Sequence, residues 1–341
     1  MKIAIHYKKN TFSDRWIEYC KREKISYKLV NAFDSNIIVQ LKDCHVLMWH
    51  HSHIDFKDKI AAHSILRALE HAKVKVFPDY NTAWHFDDKV AQKYLLEAIG
   101  APLVASYVFY DKKKALSWVE KTQFPKVFKL KGGAGSKNVK LVHSKQQAIN
   151  LIKKSFGKGF PLIDKWSYLK ELKYKKQTFF PYVIDVIRGV KRGIYPKKDD
   201  IQFQKERGYI YFQNFIPNND SDIRVIVVGD KAFAIKRLVR KGDFRASGSG
   251  SVVYNKVNID ERCLIIAFEV AKKLETQSLA FDFIFDLNQN PLIVEISYGY
   301  AVNVYDQCPG YWDKQMNWHE GQFVPQNWMV ENLIKEIENA K

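Results

Sequence analysis

The chain has 341 residues, of which 46% are hydrophobic and 27% are charged, and this composition excludes a disordered protein. No run of 18 apolar residues occurs, which excludes a transmembrane helix, and the length favours two or three domains. The N-terminus lacks the long apolar core of a signal peptide, and the four cysteines are far apart. We therefore expect a cytoplasmic protein with reduced thiols.

The positive charge is unevenly distributed. The formal net charge is +18, and residues 153–207 contain 15 Lys or Arg and 6 Asp or Glu. A field of this size attracts anionic small molecules and polyanions, whereas an ordinary solvated basic surface is the alternative. No nucleic-acid-binding module is recognisable, so specific nucleic-acid binding is not expected, and membrane contact is expected to be peripheral at most.

Residues 1–85 alternate short apolar runs with amphipathic stretches. Strands are predicted at 2–7, 26–30, 44–49 and 73–77, and helices at 13–24 and 57–71. Strands alternating with helices at this spacing predict a small parallel α/β domain.

Residues 86–210 are predicted to form a second domain. A helix at 87–99 is closed by Gly100 and Pro102, and strands follow at 106–110, 126–130 and 138–142. The segment 160–208 is rich in lysine and aromatic residues and has no regular period, so it is interpreted as a basic insertion.

Residues 211–341 are predicted to form a third domain, entered through a strand at 209–215. Strands at 223–228 and 231–239 flank a Gly229-Asp230 turn typical of a hairpin. A helix is predicted at 260–276, strands at 279–286 and 291–296, and a final amphipathic helix at 325–340.

A glycine-rich turn, Lys129-Leu130-Lys131-Gly132-Gly133-Ala134-Gly135-Ser136-Lys137, follows the strand at 126–130. Small residues let backbone N–H groups approach phosphate oxygens, and the flanking lysines add positive charge. The turn lacks the spacing of a Walker A loop and leads into a strand rather than a helix. A glycine-rich hairpin without a ligand is the alternative.

Two carboxylates lie inside adjacent apolar strands, Asp282 in the strand at 279–286 and Glu295 in the strand at 291–296. Carboxylates in such a setting need a positive partner, and Mg²⁺ is a natural one. Ser297 lies on the same face as Glu295 and offers a weaker oxygen ligand. Exposure of both carboxylates on the solvated face of the sheet is the alternative.

A basic loop at 241–251 contains Gly242-Asp243-Phe244-Arg245 and a run of glycine and serine. Arginine stays charged and binds two oxygens at once, so it is suited to bind a phosphoryl group during its transfer. The alternative is a disordered surface loop.

These motifs, together with Asp88-Lys89 at the start of the helix at 87–99, occur in the order of the ATP-grasp superfamily. Over residues 75–300 the chain resembles RimK-type and glutathione-synthetase-like carboxylate–amine ligases. The resemblance implies an α/β (α+β) protein with an ATP-grasp fold preceded by a parallel α/β pre-ATP-grasp domain. It also implies ATP and two Mg²⁺ ions as cofactors, with Mn²⁺ as a substitute for Mg²⁺.

The resemblance assigns roles to individual residues. The implied catalytic residues are Arg245 and Lys129. The implied ATP-binding residues are Lys89, Lys129, Lys131, Gly132, Gly133, Ala134, Gly135, Ser136, Gln213, Asn214, Phe215, Ile216 and Asp222. The implied metal ligands are Asp282, Glu295 and Ser297. Candidate substrate contacts are His50, His51, His53, Arg224, Lys236, Arg237 and Ser247, of which the histidines follow the strand at 44–49, where ligands gather in parallel sheets.

Two positions depart from the family pattern. Asn214 stands where the family has a glutamate in the adenosine-binding hinge, and Ser297 stands where it has an asparagine ligand. The expected function is a ligase that forms an amide through an acyl phosphate. Its expected substrates are a small amine and a carboxylate donor, which is a peptide or an anionic cell-surface polysaccharide precursor, either free or lipid-linked. A catalytically inactive nucleotide-binding sensor or scaffold is the alternative.

Overall fold

The computed structural model describes residues 1–133, 138–161, 204–240, 242–248 and 250–339. Three β-sheets organise these residues, one parallel and two that include antiparallel pairs. The basic segment predicted at 160–208 lies almost entirely outside the described residues. Among the helices within the described ranges, none combines the length and the apolar character that crossing a lipid bilayer requires.

The first sheet is parallel and has the strand order β2-β1-β3-β4. Its elements are β1 (Ile3–His6), α1 (Phe12–Arg22), β2 (Tyr27–Val30), α2 (Ile37–Gln40), β3 (Val46–Met48), α3 (Phe56–His71) and β4 (Lys75–Phe77). Thr11 and Asp14 form a capping box that fixes the start of α1. The parallel α/β arrangement predicted for the N-terminal segment is present.

The second sheet is antiparallel, with the order β5-β8-β6-β7. It contains β5 (Ser106–Phe109), β6 (Lys126–Lys129), β7 (Val139–Val142) and β8 (Ile210–Asn214), and it is preceded by α4 (Tyr80–Ala83) and α5 (Lys89–Ala98). Helices α6 (Lys112–Lys121) and α7 (Lys145–Ser155) contribute apolar side chains to the core beneath this sheet.

The third sheet has the order β13-β12-β9-β10-β14-β15, and β11 pairs with β10. Its strands are β9 (Ser221–Val228), β10 (Lys231–Leu238), β11 (Val252–Val253), β12 (Ser278–Phe285), β13 (Pro291–Ser297), β14 (Gly310–Asp313) and β15 (Trp318–Glu320); helices α8 (Glu261–Lys273) and α9 (Pro325–Asn339) belong to the same region. Gly229 has a φ of +57° in the turn between β9 and β10. A Cβ there would lie 2.3 Å from Nδ2 of Asn332, so a side chain at this position would strain the backbone and displace Asn332.

The first and third sheets share one hydrophobic core. Phe12 and Trp16 of α1 belong to the same buried cluster as Phe233 of β10 and Leu333 of α9. The Gln277 side chain adds polar links, because its Oε1 accepts from the Asp79 N–H at 2.9 Å and its Nε2 donates to the Val76 carbonyl at 3.0 Å. The N-terminal α/β unit is therefore docked onto the C-terminal part of the chain.

Two elements connect parts of the chain that belong to different predicted domains. Strand β8 crosses the boundary at 210 and pairs with both β5 and β6 of the second sheet. Leu96 of α5 belongs to the core under the third sheet, although the sequence grouped it with the second domain. Both differences arise because the chain passes back and forth between the two sheets.

Candidate functional site

One cavity of about 240 Å³ lies where residues of the second and third sheets approach each other. The charged side chains that line it include five from distant parts of the sequence: Lys89, Lys129, Arg245, Asp282 and Glu295. These are the side chains that the sequence predicted to surround one nucleotide triphosphate.

The cavity has apolar walls on two opposite sides. Val127 and Val139 come from the second sheet, and Ile284, Val294 and Ile296 come from the third. An apolar slot between two sheets suits a flat aromatic ring, whose faces it removes from water.

Segment 213–219 connects the two sheets along the cavity. The Gln213 side chain donates to the Ser106 hydroxyl at 3.2 Å and to the Val294 carbonyl at 3.4 Å. Asn214 accepts from Lys126 Nζ at 2.6 Å, and Asn219 exchanges two hydrogen bonds with the backbone of Phe285. Residues 213–216, which the sequence predicted to hold adenine, all line the cavity.

Two buried lysines bring positive charge to the cavity. Lys89 Nζ lies 3.1 Å from Glu295 Oε1 and donates to the Gly133 carbonyl at 2.9 Å. Burial opposes the charge of Lys89, but the Glu295 and Asp87 carboxylates outweigh this effect and raise its pKa. Lys129 makes no hydrogen bond or ion pair with any residue that the structure describes, and burial lowers its pKa to about 8. Its ammonium is therefore available to an anionic ligand.

Asp282 is held in a network of buried ion pairs. Arg224 donates to both of its carboxylate oxygens, at 2.5 and 2.8 Å, and Arg237 lies 3.0 Å from Oδ2. Arg237 also binds both oxygens of Asp222, at 2.7 and 2.6 Å. Burial acts to raise the pKa of Asp282, but the two guanidinium groups hold it well below its usual range. Asp282 is thus an anion at neutral pH.

Asp282 and Glu295 are register partners on the neighbouring strands β12 and β13. Ser297 lines the same cavity, and its hydroxyl donates to the Gly299 carbonyl at 2.8 Å. Within the described ranges, no three Asp, Glu, His or Cys side chains are grouped so as to hold a metal ion on their own. Mg²⁺ binds through one or two carboxylates completed by substrate phosphates, and two carboxylates on neighbouring strands that line one cavity fit that pattern.

Arg245 lines the cavity from the loop after β10. Its Nη2 lies 2.6 Å from Asp243 Oδ2, and its Nε lies 3.0 Å from both Asp243 oxygens. The paired arginine holds the pKa of Asp243 below its ordinary value against the opposing effect of burial. Asp243 therefore orients the guanidinium that the sequence predicted to be catalytic.

Several predicted site residues lie elsewhere. Lys131 is paired with Asp88 at 3.1 Å and does not line the cavity, and neither do Gly132, Lys236 and Arg237. His50 is stacked on Phe12 at 3.7 Å, and His51 is buried against Tyr298, so both are packed among aromatic rings. His53, Gly133, Asp222, Arg224 and Ser247 do line the cavity. Ala134, Gly135 and Ser136 lie outside the described residues.

Sequence reasoning missed other parts of the cavity wall. Phe86, Asp87, Asn219, Phe244 and Gly299 all line it. A Cβ on Gly299 would lie 3.2 Å from the Phe86 ring and 3.6 Å from His50 Nε2, so the backbone itself forms that part of the wall. The Asp87-Asp88 pair was a visible signal, but the sequence drew attention only to Asp88.

Residues 180–307 match the family model of the RimK-like ATP-grasp domain. Among solved structures, D-cycloserine synthetase DcsG is similar at a TM-score of 0.59 and 12% identity, covering 98% of this chain and 99% of that one. The RimK-domain ATP-grasp protein of Sphaerobacter thermophilus aligns at a TM-score of 0.54 and 13% identity, covering 98% and 100%. The D-alanine–D-alanine ligase of Bacillus anthracis, complexed with ATP, aligns at 0.57 and 11%, covering 100% and 99%. Among curated protein sequences, none matches.

Proposed function

The chain has an ATP-grasp fold and carries a match to the RimK-like ATP-grasp domain, and from this premise we propose that it is an ATP-dependent carboxylate–amine ligase. The observation that carries the proposal is the convergence of Lys89, Lys129, Arg245, Asp282 and Glu295 on one cavity with an apolar slot. In the proposed orientation the slot takes the adenine ring, and the charged end takes the triphosphate.

The residues at the charged end suit transfer of the γ-phosphoryl group to a carboxylate. The carboxylate oxygen attacks the γ-phosphorus, the bond to the bridging oxygen breaks, and ADP leaves with an acyl phosphate left behind. Lys89 and Lys129 neutralise charge on the phosphate oxygens, and the Arg245 guanidinium, oriented by Asp243, binds the group in transfer. An amine then attacks the acyl carbon and displaces inorganic phosphate.

Asp282 and Glu295 are the proposed holders of Mg²⁺, with Ser297 nearby. When bound, the metal would supply a positive charge shared between the carboxylates and the nucleotide phosphates. The two arginines on Asp282 keep that carboxylate ionised, and a bound metal would share its oxygens with Arg224.

As a finer hypothesis, the carboxylate donor is a large anion such as a uronic-acid-bearing polysaccharide precursor. Its support is the charge of residues 153–207, with 15 Lys or Arg against 6 Asp or Glu. Polyanion binding of this kind weakens strongly as added salt screens the charges. We therefore expect the affinity for a polyuronate, measured by fluorescence anisotropy, to fall about tenfold or more between 50 and 300 mM NaCl. An affinity independent of salt would contradict the hypothesis.

The alternative is a protein that binds nucleotide without catalysis. It is favoured by Asn214 and Ser297, the two positions that depart from the family pattern, and by the engagement of Asn214 with Lys126. ADP formation distinguishes the two, because a sensor binds ATP without consuming it when acids and amines are added.

The testing experiment is a screen of the purified protein for ADP formation with pairs of carboxylates and amines, repeated with hydroxylamine to trap an acyl phosphate as a hydroxamate. We expect Arg245→Ala and Glu295→Ala to reduce turnover by about 10³-fold, since each removes charge stabilisation at the reacting centre. Far-UV circular dichroism should remain unchanged. Arg262→Ala and Glu97→Ala are the matched controls, since both residues form surface ion pairs away from the cavity. Near-normal turnover in either site variant would refute the assignment.

A further inference from the structure

A buried carboxylate oxygen at the cavity wall has no hydrogen-bond donor. Asp87 lines the cavity with a side chain that is 4% exposed, and its Oδ1 accepts from the Gly133 N–H at 2.7 Å. Its Oδ2 is fully buried and has no hydrogen-bond partner in the described part of the chain. Lys59 Nζ lies 3.7 Å from Oδ2, close enough to contribute charge but too far to donate. Buried acceptors are nearly always satisfied, so this oxygen, which has an ion-pair neighbour but no donor among the described residues, is a candidate acceptor for a ligand.

The backbone holds Asp87 in an unusual conformation. Its φ is +55°, in the left-handed region that non-glycine residues seldom adopt. The next residue, Asp88, caps α5 by accepting from the N–H groups of Val90 and Ala91. The two aspartates thus have different positions: Asp88 caps the helix, and Asp87 lines the cavity.

His53 lines the same cavity beside Asp87. Its ring forms no hydrogen bond with the described residues, and it meets the Phe86 ring edge-on at 5.5 Å. The Asp87 and Glu295 carboxylates act to raise the pKa of His53, and the Lys89 and Lys59 ammonium groups act to lower it. Burial dominates and lowers the pKa of His53, which favours the neutral ring, and a neutral imidazole has one nitrogen that accepts a hydrogen bond.

We propose that Asp87 and His53 form the subsite for the amine substrate, taking a primary ammonium group in hydrogen bonds to Asp87 Oδ2 and to the His53 ring, with Phe86 as its apolar wall. This inference rests on the proposed ligase function. Lys89, Lys129 and Arg245 bind the phosphates in the proposed function, whereas the anionic Asp87 Oδ2 repels phosphate. Asp87 and His53 therefore suit a cation.

The bound ammonium releases one proton to solvent, and the lone pair of the neutral amine attacks the acyl carbon. The C–N bond forms, the bond from carbon to the phosphate oxygen breaks, and its electron pair leaves with inorganic phosphate. His53 accepts the second proton from nitrogen, which becomes acidic as the new bond forms.

The experiment uses the full chain with ¹³C at the Cε1 of its ten histidines. The His53 resonance is assigned with His53→Gln, and ethylammonium chloride is titrated at constant ionic strength. We expect a saturable shift of that resonance, weakened about tenfold or more by Asp87→Asn, because a hydrogen bond to a charged group is lost. Acetamide and acetate, which lack a positive charge, should leave the resonance unmoved. Asp88→Asn is the matched control, since it removes the same charge one residue away and asparagine still caps the helix.

A His53 resonance that ethylammonium does not move, or moves equally in Asp87→Asn, overturns the subsite. The subsite is also refuted if Asp87→Asn keeps the response to ethylammonium but loses affinity for Mg·ADP. Asp87 would then only anchor the backbone at Gly133. Isothermal titration with Mg·ADP on the same protein separates this result from the ligase proposal. Nucleotide binding without an ammonium response refutes the subsite alone, whereas an ammonium response without nucleotide binding refutes the ligase alone.

Discussion

Lys129 is a lysine whose charge depends on its surroundings. Burial is the main cause that lowers its pKa to about 8; the Lys89 ammonium acts in the same direction, and the Glu295 and Asp282 carboxylates oppose it. In the free protein the ammonium therefore loses its proton as the pH rises through about 8. A bound phosphate favours the charged form, so nucleotide binding above pH 8 must take up a proton.

We accordingly expect the affinity for Mg·ADP to be constant below pH 8 and to fall by up to about tenfold per pH unit above it. Isothermal titration at pH 7.5, 8.5 and 9.5, in buffers of different ionisation enthalpy, measures both the affinity and the proton uptake. Lys129→Met should bind weakly at every pH and show no step, whereas the surface variant Lys121→Met should behave like the wild type. A wild-type affinity that is equal at pH 7.5 and 9.5 would show that Lys129 does not meet phosphate.

At the same scale, the charged residues of the site could be predicted because their neighbours in the sequence are apolar residues or glycines. Asp282 and Glu295 interrupt apolar strands, and Lys129 ends a strand before glycines. Asp87 was missed because two adjacent aspartates look alike in a sequence. Only the positive φ of Asp87 decides which of them caps the helix and which faces the cavity.

At the scale of elements, the ion pairs of β9, β10 and β12 form a continuous network: Asp222 pairs with Arg237, Arg237 with Asp282, and Asp282 with Arg224. Arg237 is 7% exposed and joins two carboxylates that belong to different strands. Removing one member of such a network leaves buried charges without partners.

We expect Arg237→Met to lower the free energy of unfolding by about 3–5 kcal/mol in urea titrations. Lys236→Met is the matched control, because Lys236 is the preceding residue of the same strand and lies outside the network, and its cost should stay below about 0.5 kcal/mol. If both variants unfold at the same urea concentration, the network does not stabilise the sheet.

Most strands and helices could be predicted from their periodicity, to within one to three residues at each end. The helices α6 and α7 were not predicted, although Asp111 and Ser144 accept from backbone N–H groups at their starts and so mark them. Both helices are rich in lysine, and α7 also has two glutamines, which weakens the apolar stripe on which the prediction relied. The hairpin of β14 and β15 was also missed, because its strands lack the aliphatic runs that marked short strands such as β3.

At the scale of the whole molecule, the two ends of the chain depend on each other. Leu333 of α9 is 1% exposed and belongs to the cluster that contains Ile3, Ile5 and Trp16. Amphipathic patterns predicted that each of these elements has an apolar face, but they contain no information on which faces meet.

We expect Leu333→Ala to cost about 2–5 kcal/mol and to increase amide hydrogen exchange in β1 and α1, more than 300 residues away in sequence. Leu287→Ala, at a leucine that is 72% exposed, is the matched control and should change neither quantity. Faster exchange confined to α9 would indicate that the N-terminal sheet is stable without it.

The core that joins the first and third sheets also has a consequence for synthesis. The strands of the first sheet are complete by Phe77, yet part of the apolar surface that covers them arrives only with Leu333. At about 5–20 residues per second, a ribosome needs about 10–50 s to add the intervening chain. Throughout that interval the nascent N-terminal unit exposes apolar surface. We therefore expect chaperones that act during translation to bind it.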